Sequence, residues 1–292
     1  MLHHGFLVVD KQPEMTSHDV VAIARRALGT RKVGHAGTLD PMATGVLVLG
    51  INNGTRLLQY ISDGDKSYQA TVVLGASTIT DDVQGEVISF ADTSNITNAQ
   101  IEMEFSKFRG TIMQRPSSVS AVKIDGQRAY ARVRSGQEVI LPQREVTISQ
   151  LDILAIRKFE NGIEIDIQVT CSSGTFIRAV ARDVGMGLGV GGHLNSLRRS
   201  RVARFSLDMA VTIEQLKNGD FTILDLAEVA RVIFPVRQIG LDEKMELSFG
   251  RPLESNLNDQ IFAGITGANE LVALLQNLNG QAKPLIVFTP AN

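Results

Sequence analysis

Cysteine is nearly absent from this chain. Cys171 stands alone among 292 residues, so no intrachain disulfide can form, which suits a reducing, cytoplasmic setting. The five histidines (His3, His4, His18, His35 and His193) show no zinc-ligand spacing, so no metal is expected. No apolar run approaches the length of a membrane span, and the first residues lack the basic and apolar stretches of a secretory signal. Both absences predict a cytoplasmic protein with no membrane partner. The glycine-containing loops carry neither the Lys-Ser/Thr of a phosphate loop nor a dinucleotide fingerprint, so no nucleotide cofactor is indicated. Low-complexity segments and internal repeats are missing too, and a hydrophobic fraction of 43% is that of an ordinary globular protein. The length suits one large domain plus a small one.

A surplus of one charge is also lacking. Lys and Arg number 29 against 31 Asp and Glu, a net of −2 that by itself speaks against a nucleic-acid partner. The distribution says otherwise. Residues 205–292 hold 6 basic and 11 acidic groups, which leaves residues 1–204 at +3. Residues 107–144 carry 8 basic groups against 2 acidic, and residues 178–204 carry 6 against 1. Local patches, not overall charge, make phosphate contacts. Most Lys/Arg clusters are solvated faces, so the meaning of these two depends on the motifs they accompany.

What the chain does have is a carboxylate set among backbone punctuation. Asp40 lies in Gly34-His35-Ala36-Gly37-Thr38-Leu39-Asp40-Pro41-Met42-Ala43-Thr44-Gly45. Pro41 pushes Asp40 away from helical angles, and Gly37 and Gly45 permit turns and close backbone approach. The apolar run Val46-Leu47-Val48-Leu49-Gly50-Ile51 follows and reads as a buried strand that anchors the loop. An arbitrary Asp in such a loop usually organises an Asx turn. Here the neighbouring stretches decide otherwise.

Those stretches occur in order: Asp10-Lys11-Gln12-Pro13-Glu14-Met15-Thr16-Ser17, Lys66-Ser67-Tyr68, Gln114-Arg115-Pro116 with Ser120-Ala121-Val122-Lys123, Cys171 to Arg178, and Leu194-Asn195-Ser196-Leu197-Arg198-Arg199. With the Asp40 loop they make the chain resemble the TruB family of tRNA pseudouridine synthases over about residues 5–205. One motif alone could be chance; five in order are highly specific. Gln12, Glu14, Ser117 and Phe176 depart from the family pattern without touching the Asp, Tyr or Arg. Many members carry Tyr at the position of Phe176, so a ring is kept here and a hydroxyl lost.

Strands are predicted at residues 6–10, 46–51, 67–75 and 163–170, the last from the alternation of Ile163, Ile165, Ile167 and Val169, with a hairpin signal at Asn161-Gly162. Helices are predicted at 17–28 with Thr16 or Ser17 as N-cap, at 55–61, at 97–105 and at 175–188. Strands and helices mix without a regular βαβ period, which predicts an α+β fold with a mixed, largely antiparallel sheet and flanking helices, not a Rossmann fold. The resemblance implies the pseudouridine synthase fold over residues 1–210, with a thumb-like, RNA-gripping insertion at about 110–145. Residues 211–233 read as a helical connector. Residues 234–292 resemble a small PUA-like β-barrel, a separate module whose acidic balance suits packing as much as RNA binding.

The resemblance also implies the chemistry. Uridine 55 in the T-arm of tRNA would be isomerised to pseudouridine: the N1–C1′ bond breaks, the base turns, and C5 joins C1′, with no redox cofactor. Asp40 would be the nucleophile, attacking C1′ or assisting a glycal formed after loss of the C2′ proton. Arg178 would orient and neutralise it. Tyr68 would stack on the flipped base and could relay the C5 proton, Leu197 would wall the uracil pocket, and His35 would fill the vacated stack. Lys11 would support the loop or touch phosphate, and Lys123 would join the basic insertion on the RNA. A monomer is expected, and it looks self-sufficient on tRNA, since no N-terminal extension or long basic tail is seen. The alternatives are a guide-RNA-dependent synthase of the dyskerin type and a tRNA-folding chaperone on the same fold. An Asp-nucleophile hydrolase would want a second carboxylate, and none stands near Asp40 in sequence.

Overall fold

The computed structural model describes residues 4–118, 141–255 and 260–291, plus the backbone of two short paired strands, Lys123–Ile124 and Gln127–Arg128. The side chain of Lys123 and most of the basic insertion lie outside the described residues.

One ten-stranded mixed sheet organises the larger part of the molecule. Its path runs Val211–Thr212, Gly5–Lys11, Thr44–Ile51, Gly192–Val202, Lys66–Leu74, Gly162–Cys171, Arg144–Phe159, Gly110–Gln114. Only the first pair and the contact of Thr44–Ile51 with Gly192–Val202 are parallel. The α+β class and the mixed, largely antiparallel sheet expected from the sequence are what the structure has. The strand Gly162–Cys171 alternates as its isoleucines predicted, with Ile163, Ile165, Ile167 and Val169 all fully buried. Its hairpin turns over Glu160 and Asn161, because Gly162 already pairs with Phe159.

Local chemistry sets the helices. Ser17–Ala27 begins on Thr16, whose hydroxyl accepts from Asp19 N–H while the Asp19 carboxylate accepts from Thr16 N–H, a reciprocal cap. Thr97 and Gln100 do the same for Asn98–Ser106. The helix expected at 55–61 is split: a 3₁₀ turn, Asn52–Leu57, runs into Leu58–Ser62. Among the described residues no helix is long and apolar enough to cross a membrane.

The first strands are buried on both faces. Leu7, Val9, Leu47 and Leu49 pack with Val20, Val21 and Ala24 of the first helix. Phe6, Val8, Val46 and Val48 face the other way, into a cluster with Phe234, Ala263, Ile265, Leu271, Leu274 and Phe288. These belong to the last part of the chain, where Val236–Ile239, Phe262–Thr266, Leu271–Leu278, Gln281–Val287 and Leu253–Glu254 form a curled five-stranded half-barrel. The small β-module sits directly on the large sheet through a shared core.

Candidate active site

Asp40 is held in place through its neighbours' main chain. Ala43 N–H donates to the Asp40 carbonyl at 3.1 Å, closing the turn. Ser17 Oγ accepts from Leu39 N–H at 2.9 Å and donates to the Leu39 carbonyl at 3.2 Å. Lys11 Nζ donates to the carbonyls of Gln12, Met15 and Pro41, at 2.9, 2.6 and 3.1 Å. Arg199 donates to Val46 O at 2.8 Å and Gly37 O at 3.0 Å. Three buried side chains from three segments therefore fix residues 37–41. The loop's exit needs glycine: Gly45 has φ +99°, and a Cβ there would lie 2.2 Å from the Arg199 carbonyl oxygen.

Arg178 projects from the first turn of the helix Ile177–Gly187 and is 5% exposed. Its Nε lies 3.0 Å from Asp40 Oδ2, and its Nη1 donates to the Thr80 carbonyl at 2.8 Å and lies 3.5 Å from Asp82 Oδ2. One buried guanidinium thus spans two carboxylates. Hydrogen bonds between a guanidinium and carboxylates are charge-assisted, which makes this contact strong and directional. Asp82 is itself oriented, its Oδ1 accepting from Thr80 Oγ1 at 2.5 Å and from Gln84 N–H at 3.1 Å. Beside it, burial pushes the Asp81 carboxyl above its ordinary range, against the pull of Arg182 at 3.1 Å.

Asp40 and Arg178 open into a cleft of about 360 Å³, within the size range of small-ligand sites. Tyr68, Leu197, Arg199 and Lys66 form part of its wall, and Arg144 and Phe176 line it too. Four residues singled out from the sequence, Asp40, Tyr68, Arg178 and Leu197, meet here. Tyr68 is buried on the strand Lys66–Leu74, and burial raises its phenol above the usual value while nearby Arg199 pulls it back. At neutral pH this wall therefore presents an aromatic ring and a protonated O–H. Lys66 Nζ is turned away onto the carbonyls of Ser62 and Gly64, at 2.6 and 2.8 Å, and burial lowers its pKa.

Two expected binding residues stand elsewhere. His35 is not part of the cleft lining. It ends the short strand Val33–His35 that enters the loop, edge-on to His18 with ring centroids 5.6 Å apart. Burial, then His18 and Arg199, hold its pKa down to about 4, so the ring is neutral at physiological pH. Of the two roles expected of Lys11, loop support fits and phosphate contact does not: the side chain is fully buried and its ammonium is committed to three carbonyls. Burial lowers its pKa to about 8. Sequence reasoning missed Asp82, which reaches the site from a loop distant in the chain. It also left Arg199 without a role, although the Leu-Arg-Arg motif was in view.

Nearly the whole chain superposes on known structures. A chain of a Cbf5–Nop10–Gar1 complex matches with TM-score 0.73 and 23% identity, covering 99% of this chain and 86% of that one. A chain of an archaeal box H/ACA sRNP Nop10–Cbf5 complex matches with TM-score 0.73, over 99% and 87%. The fold is therefore shared with the chains of those complexes. The profile described as TruB family pseudouridylate synthase (N terminal domain) matches residues 25–177, and that of the tRNA pseudouridylate synthase B C-terminal domain matches residues 178–239. The protein named tRNA pseudouridine synthase B of Arthrobacter sp. (strain FB24) is 50% identical over 299 residues, covering 99% of this chain and 97% of that one. Its namesake in Mycobacteroides abscessus is 48% identical, covering 99% and 97%. The chain belongs to the TruB family of pseudouridylate synthases.

Proposed function

We propose that this protein isomerises uridine 55 in the T-arm of tRNA to pseudouridine, with Asp40 as nucleophile on a flipped-out nucleotide and no guide RNA. The observation that carries the reading is the Asp40 carboxylate held at 3.0 Å by buried Arg178 at the edge of a cleft walled by Tyr68 and Leu197. The relatives that cover nearly the full chain are named for tRNA, which supports that substrate.

The parts divide the work. Asp40 attacks C1′, or assists a glycal formed by loss of the C2′ proton, and both routes use the same carboxylate. Arg178 aims it, braced from behind by Asp82. Tyr68 and Leu197 retain the detached base while it turns. His35, neutral, serves the flipped strand as a ring and not as a charge. The basic insertion around Lys123 contacts phosphates, and the protein works as a cytoplasmic monomer.

The test is incubation with an unmodified tRNA transcript and mapping of pseudouridine. Asp40→Asn keeps size and most hydrogen bonding but removes the nucleophile. Turnover is expected to vanish while tRNA affinity stays within about tenfold, because phosphates dominate affinity. Substantial product from pure Asp40→Asn protein, or product at another position only, would overturn the assignment.

A further inference from the structure

The motif Gln114-Arg115-Pro116 carries a geometry that the chemistry above does not use. Gln114 ends the strand Gly110–Gln114 and is 1% exposed. Its amide grips the main chain of Phe176 at two points: Phe176 N–H donates to Oε1 at 2.8 Å, and Nε2 donates to the Phe176 carbonyl at 3.0 Å. Phe176 is the residue from which the helix Ile177–Gly187 starts, and that helix has no side-chain cap of its own. The Phe176 carbonyl also accepts from Val180 N–H at 3.3 Å, so Gln114 holds an atom that defines the first helical turn. Arg178 lies in that turn.

Two further contacts converge on the same spot. Arg144, the register partner of Gln114 on the facing strand, lays its guanidinium over the Phe176 ring at 5.2 Å. Arg182, one turn beyond Arg178, donates to the Arg115 carbonyl at 2.8 Å. Gln114 and Arg144 flank the basic insertion on either side. Both of its roots are therefore fastened to the residue that begins the Arg178 helix.

We propose that Gln114 is a positioning residue for the reaction: it fixes the first turn of the helix so that Arg178 meets Asp40, and it joins the seat of the insertion to the site. The proposal rests on reading Asp40 and Arg178 as the reactive pair. Without the two amide bonds the turn is free to shift, and a displacement of even a fraction of an ångström at Arg178 is felt in the rate. A bond that merely held the insertion in place would act on stability or tRNA affinity instead.

The experiment measures single-turnover rates at saturating unmodified tRNA, tRNA Kd and thermal stability for wild type, Gln114→Met, Arg178→Lys and the double variant, with Asp40→Asn as the blank. Methionine keeps the length and removes both hydrogen bonds. Gln114→Met is expected to slow the single turnover by about 10- to 100-fold, with Kd within about threefold because phosphate contacts are intact. In the Arg178→Lys background the same change should cost less than about twofold, since both act through one contact. Equal fold losses in both backgrounds, or a loss that falls wholly in Kd, would overturn the proposal. So would an undiminished Gln114→Met rate beside an inactive Asp40→Asn. An active Asp40→Asn blank would instead bring down the reading on which it rests. If Gln114→Met does not fold, Gln114→Glu takes its place. Its protonated acid restores both the acceptor and the donor, so its rate relative to wild type should climb as pH falls, and a flat ratio would count against the proposal.

Discussion

The cleft and the junction with the C-terminal half-barrel use burial in opposite ways. The cleft buries charged groups beside its apolar wall: Lys66, Arg178 and Arg199 give their donors to main-chain carbonyls and carboxylates. At the junction the buried groups are apolar, and Tyr60 meets Phe234 edge-on with ring centroids 4.9 Å apart. Apolar packing tolerates exchanges that keep volume. A buried cation that anchors a loop tolerates none, because each partner left behind is a desolvated polar group. Damage to the cleft should therefore abolish chemistry, and damage to the junction should lower stability without altering the chemistry of molecules that remain folded.

The sharpest break of that contrast is Arg178→Met. It strands the buried Asp82 carboxylate and frees Asp40, so turnover is expected to be lost and stability to fall by about 3–5 kcal/mol, the usual cost of removing one partner of a buried pair. Activity assays and urea denaturation check both arms. Next comes removal of the half-barrel. A chain ending near Arg231 would uncover Phe6, Val8 and Val48, and it is expected to aggregate instead of acting on an isolated hairpin; light scattering decides. A soluble, active truncation would show that the shared core is dispensable. Phe234→Ala is milder. It should cost about 3 kcal/mol or somewhat more while the rate per folded molecule stays that of wild type.

The last expected effect is a pH effect at His35, absent at neutral pH. Its folded pKa of about 4 lies below the ordinary 6.5. Between those values the unfolded chain binds a proton that the folded chain refuses, so stability rises with pH across that window and is lost on acidification. Above pH 6.5 the residue contributes no slope. His35→Gln should flatten the fall in melting temperature between pH 6.5 and pH 4; an unchanged slope would mean that other groups carry it.

The parts of the molecule legible in sequence are those where a local rule decides. Thr16 with Asp19 and Thr97 with Gln100 write their helix starts into adjacent residues, and the isoleucine alternation of Gly162–Cys171 writes its buried face. The Asp40 loop was legible through motif. Asp82 was not, because it is joined to Asp40 through Arg178, and nothing in residues 80–82 announces a spatial partner so far along the chain. Arg199 and Gln114 escaped for a related reason. Each acts on carbonyls or N–H groups of distant loops, and main-chain acceptors leave no mark in a sequence. The acidic balance after residue 205 left packing and RNA binding both open for the last module, and the surface it packs on, the apolar face of Phe6 and Val8, lies far upstream in the chain.

That face makes the Gly5–Lys11 strand a party wall between two rooms, with Phe6 and Val8 furnishing one and Leu7 and Val9 the other. A lineage that discarded the half-barrel would have to recode positions 6, 8, 46 and 48 toward polar side chains while leaving 7, 9, 47 and 49 untouched. An insertion of a single residue in the strand would exchange the two sets at once. The opening strand thus carries part of the half-barrel's seat on alternate residues, whatever the module contributes to RNA.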